Sequence, residues 1–247
     1  MTTPGILFYG DPHGEWEPLR RAVAARQPGV VVVLGDLDLE VPLRQQLGFL
    51  FERNIGVAWI HGNHDVKTEA AYDGLFLDWP DGNLHARVLP LAGQRVAGLG
   101  GIFKGRAWFP RHGDEPARLR SRADLLSTVP MQEQWRGDLP RYLRDTILPE
   151  DPARLRNAVA DILVTHEAPT SHTHGFGAID DLARHLRVSL VVHGHQHQSY
   201  DGTTRDGIAV RGLGRAEAWW GPPPGLDPPR FNTSGRPHAI QTSGTKA

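Results

Sequence analysis

The sequence predicts an α/β fold, and three observations carry that reading. Continuous hydrophobic runs such as Val30-Val31-Val32-Val33-Leu34 have the β-branched character of strands buried on both faces. Stretches with helical spacing separate the first of these runs. Five polar clusters then sit where hydrophobic runs end: Asp11-Pro12-His13, Gly35-Asp36, Gly62-Asn63-His64-Asp65, Thr165-His166-Glu167 and Gly194-His195-Gln196-His197.

The elements follow in order. Ile6-Leu7-Phe8-Tyr9 reads as a short buried strand, and residues 16–27, with Leu19, Ala22, Val23 and Arg26 in helical spacing, as the helix after it. Residues 30–34 form a second strand, 43–53 a second helix and 56–60 a third strand. This β-α-β-α-β order implies right-handed crossovers and a largely parallel sheet. Residues 87–99 read as two short strands joined at Ala92-Gly93-Gln94, running into Gly98-Leu99-Gly100-Gly101. An insert at about 103–150 is rich in Arg, Trp and Pro and carries amphipathic helical stretches. Strand-like runs resume at Asp161-Ile162-Leu163-Val164, Leu190-Val191-Val192 and Ile208-Ala209-Val210. From Gly221 the composition turns to Pro, Gly and polar residues, so 1–220 reads as the domain and 221–247 as a disordered tail.

Composition narrows the function. The 247 residues carry a net charge of −1, which does not indicate nucleic-acid binding by bulk charge, although a nucleic-acid substrate stays open. Cysteine is absent, which removes disulfides, thiolate metal sites and cysteine nucleophiles together. No basic leader opens the chain and no apolar stretch approaches the roughly 18 residues of a membrane span. The expectation is a cytoplasmic protein with no membrane partner. Arginine outnumbers lysine 24 to 3. Within 103–122 six cations face two carboxylates, a window of +4 that leaves −5 for the rest of the chain. Such a positive segment fits a cap over an anionic substrate, with Arg106 and Arg111 as candidate phosphate contacts and Trp108 and Phe109 as stacking surfaces. It reads equally as a solvated helical insert.

The clusters hold the chemistry. Asp11 and His13 are two residues apart, so on an extended segment both side chains share a face; His195 and His197 repeat that spacing. Taken alone, Asp11-Pro12-His13 also reads as a helix cap beside a surface histidine, and Asp36 as an N-cap. In Gly62-Asn63-His64-Asp65 the glycine permits a tight turn, Asn63 offers an amide oxygen to a metal, His64 can act as acid or base, and Asp65 can orient its ring. A lone strand-end histidine such as His166 is often structural. Donors of oxygen and imidazole without sulfur suit manganese, iron, zinc or nickel.

Together the five clusters resemble the calcineurin-like metallophosphoesterase superfamily, whose pattern is Asp-x-His, Gly-Asp, Gly-Asn-His-Asp/Glu, His and Gly-His-x-His. The resemblance spans about residues 6–214. It implies a four-layer αββα sandwich and two divalent ions, manganese first. Asp11, His13 and His197 would hold one ion, Asn63, His166 and His195 the other, and Asp36 would bridge them. A bridging hydroxide would attack phosphorus in line, with His64 assisting the transferring phosphoryl group or the leaving oxygen. The substrate would be a phosphorylated small molecule, a nucleotide or a phosphoprotein, as a monoester or a diester. A metal-free protein-binding scaffold of the same fold is the other class. Gly10-Asp11-Pro12-His13-Gly14 resembles the phosphoprotein phosphatase branch. The chain departs from that branch at Gly35-Asp36-Leu37-Asp38-Leu39-Glu40, where the second acid comes one residue early and Glu40 stands at the position of a substrate-binding arginine. Asp38 is left without a role.

Overall fold

The computed structural model describes residues 5–222. Ten strands make two sheets. β1 (Ile6–Gly10), β2 (Val30–Val33) and β3 (Gly56–Trp59) pair in parallel, and β10 (Glu217–Trp220) closes the outer side of β1 antiparallel. In the second sheet β5 (Gln94–Leu99), β6 (Ile162–Thr165), β7 (Leu190–His193) and β9 (Ala209–Gly212) run parallel. Antiparallel β4 (Arg87–Leu91) and β8 (Tyr200–Thr203) form its edges.

Alternation along each strand produces the layers. Ile6, Phe8, Val30, Val32 and Ala58 of the first sheet meet Val96, Ile162, Val164, Leu190 and Val192 of the second in one buried cluster. Leu7, Tyr9, Val31, Val33, Val57 and Trp59 point the other way, against α1 (Glu17–Ala25), α2 (Leu43–Gln46) and α3 (Gly48–Phe51). Leu99, Leu163, Val191 and Val210 pack outward on Ile179, Leu182, Ala183 and Leu186 of an amphipathic helix at Gly177–Leu186. Period-2 side chains buried on both faces, with helices outside, give the four-layer αββα sandwich.

Three expectations change. The helix expected at 43–53 is two short helices that meet at Leu47-Gly48, where glycine weakens helix propagation. The insert holds α5 (Arg122–Ser127) and two 3₁₀ turns, Met131–Glu133 and Arg141–Leu143, rather than long helical stretches. Pro110, Pro116, Pro130, Pro140 and Pro149 interrupt it too often for helices to extend. It nevertheless has its own apolar cluster of Ala107, Leu125, Val129, Leu139, Leu143 and Leu148. It is tied to α4 (Glu69–Tyr72) and to Asp73 just beyond it: Arg136 pairs with Glu69 and Asp73, and Arg144 donates to the Tyr72 hydroxyl at 2.7 Å. The start of the expected tail is fixed. The Gly221 N–H donates to the Ile6 carbonyl, and Gln94 donates to the Pro222 carbonyl, each at 3.0 Å. The remainder of that tail, 223–247, lies outside the described residues. The remaining helices are α6 (Glu150–Arg154) and α7 (Gly177–Leu186).

Candidate metal centre

The C-terminal ends of β1, β2, β3, β6 and β7 converge, so all five clusters meet at one rim of the sandwich. Their local geometry differs from the extended pairs expected. Asp11 and His13 have φ of 38° and 43°, Asp36 and Asp38 of 51° and 49°, and His195 and His197 of 67° and 51°. Three turns thus repeat one device, two left-handed residues separated by one other. Asp tolerates this conformation better than most residues. Each such position costs on the order of 1–3 kcal/mol and persists only where surrounding contacts enforce it. Those contacts are present: the His13 and Gly14 N–H groups donate to the Asp36 and Leu37 carbonyls, and the His195 N–H donates to both Asp11 oxygens at 2.9 Å. Glycine is required where a neighbouring turn passes closest. A Cβ on Gly62 would lie 2.2 Å from Asp36 Oδ1, and one on Gly194 would lie 2.4 Å from Asp11 Oδ2.

Two triads result, and a third joins them. Donor atoms of Asp11, His13 and His197 lie within 4.8 Å of one another, as do those of Asp36, His166 and His195, and between the two so do those of His13, Asp36 and His64. His13 Nε2 faces His197 Nε2 at 3.0 Å. His166 donates Nδ1–H to the Leu34 carbonyl at 2.8 Å, which leaves Nε2 as the ligating atom. That Nε2 is buried without a hydrogen-bond partner, and so is Asn63 Oδ1. Buried polar atoms without a partner are rare in folded proteins; these two belong to the set expected around the second ion. The charges agree. Burial raises the Asp11 carboxyl to about 6 despite His166. Burial works against the Asp36 carboxylate too, but His166 and the His64 N–H outweigh it and hold this group well below the usual carboxylate range. Burial likewise opposes a charged His166, yet Asp36 and Asp11 lift it to about 10. The pocket calls for positive charge, and its oxygen and imidazole donors suit a divalent transition ion.

His64 stands at the edge of this centre, its ring in edge contact with His13 at 4.6 Å between centroids. Its orienting partner is not Asp65. Asp65 is buried and its carboxylate accepts N–H bonds from Asp36, Leu37 and Gly62 at 2.7–2.9 Å, so it braces the loops instead. Burial and the Asp36 charge raise its carboxyl to about 7. Asp38 takes the orienting place: it lies 2.8 Å from His13 Nδ1 and 3.1 Å from His64 Nδ1. The signal for Asp38 is in the sequence, since Asp36-Leu37-Asp38 repeats the spacing of Asp11-Pro12-His13 and His195-Gln196-His197. Glu167, whose Oε2 lies 3.8 Å from His195 Nε2, is a further buried acid beside the centre. His193 is fully buried, sharing a 2.7 Å hydrogen bond with the Tyr200 hydroxyl beneath the last cluster.

The expected phosphate contacts lie elsewhere. Arg111 donates to the Thr173 carbonyl at 2.8 Å, with its guanidinium over Phe176, and Arg106 is exposed in a turn. Neither lines the cleft of about 700 Å³ that opens beside Asn63. Val66, Lys67 and Ile102 line that cleft together with Trp135, Arg141 and Tyr142 of the insert.

Comparison with known proteins agrees with this geometry. The family described as calcineurin-like phosphoesterase matches residues 5–199. A protein of Haemophilus influenzae, described only as uncharacterized, is 37% identical over 212 residues, which are 85% of this chain and 90% of that one. A crystal structure from Thermus thermophilus shares the fold with a TM-score of 0.51 at 16% identity, covering 87% of this chain and 91% of that chain. The strand-end clusters, the four layers and the match over most of the sequence place this chain in the calcineurin-like phosphoesterase family, hydrolases of phosphoric ester bonds that depend on divalent metal ions.

Proposed function

We propose that the chain hydrolyses a phosphoester at a dinuclear centre. Asp11, His13 and His197 would hold one ion, Asn63, His166 and His195 the other, and Asp36 would span both. One observation carries this reading: Asp36 Oδ1 lies 3.5 Å from His166 Nε2 while Oδ2 lies 3.7 Å from His13 Nε2, so a single carboxylate faces both triads. Manganese is the first candidate, with iron, zinc and nickel suited to the same donors. A pair of such ions supplies Lewis acidity that lowers the pKa of water and offsets charge on phosphoryl oxygens.

The chain's own side chains do the positioning and the proton work. Asp38 holds His13 and His64 together through their Nδ1 atoms, which leaves His64 Nε2 as the place to hold a proton for the departing oxygen. The His64 N–H donates to Asp36 Oδ1 at 2.8 Å, fixing the histidine relative to the shared carboxylate. Asp65 keeps the three intervening N–H groups satisfied and the loops rigid.

A phosphorylated small molecule or nucleotide suits the cleft better than a phosphoprotein, because its size falls within the roughly 300–1,000 Å³ typical of small-molecule sites. A monoester is favoured over a nucleic-acid diester. Half of the six cations in the insert's positive window are held within the protein, Lys104 by Asp145 and Arg122 by Asp138, each at 2.6 Å, and Arg111 by the Thr173 carbonyl at 2.8 Å.

Elemental analysis of gently purified protein tests the centre, with two transition ions per chain expected. Hydrolysis of p-nitrophenyl phosphate should exceed that of bis-p-nitrophenyl phosphate, and Asp36→Asn should remove both metal and activity. A chain that arrives empty and fails to take up added manganese would overturn the reading.

A further inference from the structure

We propose that the cleft beside the metal centre holds a second anionic group of the substrate, gripped by Lys67 and Arg141, so that a phosphate ester bearing a further phosphate is preferred over a simple monoester. This rests on the phosphoesterase reading above and adds the substrate class.

The argument starts from which cations are already used. Around the cleft Lys104 is 2.6 Å from Asp145 and donates to the Tyr142 carbonyl. Elsewhere on the insert, Arg136 is bound to Glu69 and Asp73, and Arg144 reaches Asp138 at 3.3 Å and the Tyr72 hydroxyl at 2.7 Å. Lys67 and Arg141 line the cleft and, among the described residues, neither pairs with a carboxylate. Glu133 lines the same cleft but lies within ion-pair distance of neither. Arg141 is held in place rather than free to swing: its guanidinium lies over the Trp135 ring at 5.3 Å, and Arg136 and Arg144 approach the same ring at 4.3 and 4.6 Å. Its Nε is buried and has no hydrogen-bond partner. An anion in the cleft would give this unpaired guanidinium a charge-assisted partner.

The two cations come from different parts of the chain. Lys67 follows the Gly62-Asn63-His64-Asp65 cluster by two residues, and Arg141 opens a 3₁₀ turn of the insert. Asn63, expected at the second ion, lines the same cleft. A substrate whose reacting phosphoryl lies over the metals would therefore extend its next anionic group between them. A planar guanidinium and a point-charge ammonium on one group is a common way to hold a phosphate.

The test compares p-nitrophenyl phosphate with adenosine 5′-diphosphate on the full manganese-loaded chain; in the diphosphate water takes the β-phosphoryl, the bridging Pβ–O bond breaks, AMP leaves, and the α-phosphate is the further anionic group. Calorimetric binding of α,β-methylene-ADP serves as a readout independent of turnover. Lys67→Ala and Arg141→Ala should each lower the ratio of kcat/KM for the diphosphate over p-nitrophenyl phosphate about tenfold, mainly through KM, the scale of one lost charge-assisted contact. Binding of the methylene analogue should weaken by a similar factor, with partial recovery in Arg141→Lys. Because Lys67 is exposed, its replacement leaves packing intact. Equal losses on both substrates, or no change in the ratio, would overturn the assignment of the cleft while leaving the hydrolase reading in place. A chain that binds the analogue through these two cations yet hydrolyses neither compound would keep the cleft and overturn the hydrolase reading instead.

Discussion

Asp38 touches two histidines that have different duties. His13 is an expected ligand of one ion, whereas His64 is expected at neither, although its donor atom lies at ligand spacing from those of His13 and Asp36. Substitution separates these duties. His64→Ala should leave metal content near that of the parent while turnover falls roughly 10²–10⁴-fold, the range for a positioned acid or base. Asp38→Asn should reduce both, with metal affinity or activity down about 10–100-fold, as is usual when the partner of a metal-bound histidine is altered. Metal content and kcat measured on the two variants check this, and a metal loss in His64→Ala as large as in Asp38→Asn would contradict the division. The expected ligands were legible because each follows a hydrophobic run and has a donor side chain. Asp38 shares the two-residue spacing of the other clusters, but its bond to the histidines depends on a turn that spacing alone does not show. The left-handed conformation at both Asp36 and Asp38 turns that spacing back toward the histidines.

At the scale of elements the insert is held by arginines more than by helices. Arg122 and Arg144 converge on Asp138 at 2.6 and 3.3 Å. Burial alone would raise the Asp138 carboxyl, yet Arg122, the Leu139 N–H and Arg144 together hold it below its ordinary value. A carboxyl with a folded pKa below its unfolded pKa stabilises the folded form at every pH above the ordinary carboxylate range. That contribution fades as the pH falls through the lowered value. The melting temperature of the parent should therefore drop more steeply below about pH 4 than that of Asp138→Asn, which lacks the titrating group. Parallel slopes by calorimetry from pH 6 to 3 would exclude this role. The central strands were plain in the sequence, since β-branched runs have few other uses. α7 was not assigned, although Ile179, Leu182, Ala183 and Leu186 have helical spacing, because a loop of glycine and histidine leads into it. Edge strand β8 carries too little hydrophobic pattern to stand out, and β10, though it is Glu-Ala-Trp-Trp, is only four residues long and partly buried.

For the whole molecule, the centre joins the two sheets. The first sheet supplies Asp11, His13, Asp36, Asn63 and His64, and the second supplies His166, His195 and His197. Ions held between them bind only the folded arrangement, so their free energy adds to folding. Removing metal with a chelator should lower the melting temperature, and returning manganese should restore it in a concentration-dependent way. At about 100 times Kd the gain is roughly 2.7 kcal/mol, and for a domain of this size each kcal/mol corresponds to about 2–4 °C. A melting point indifferent to chelation would mean that the sheets hold the turns unaided. The order of elements followed from hydrophobic runs and helical spacing, whereas the two-sheet stack came from the family resemblance, the strand runs alone implying one largely parallel sheet. Which loops face which sheet needed the register between strands, a property no single segment carries.

β10 offers a practical consequence. It begins beside the centre, where the Ala216 N–H donates to the Asp11 carbonyl, and runs down β1 until Gly221 meets Ile6. The chain therefore passes Pro222 at the end of the sandwich remote from the metal ligands, about five strand residues or roughly 16 Å away. A dye attached at position 222 would sit behind the ligand-bearing rim, so labelling there should leave the cleft open to solvent.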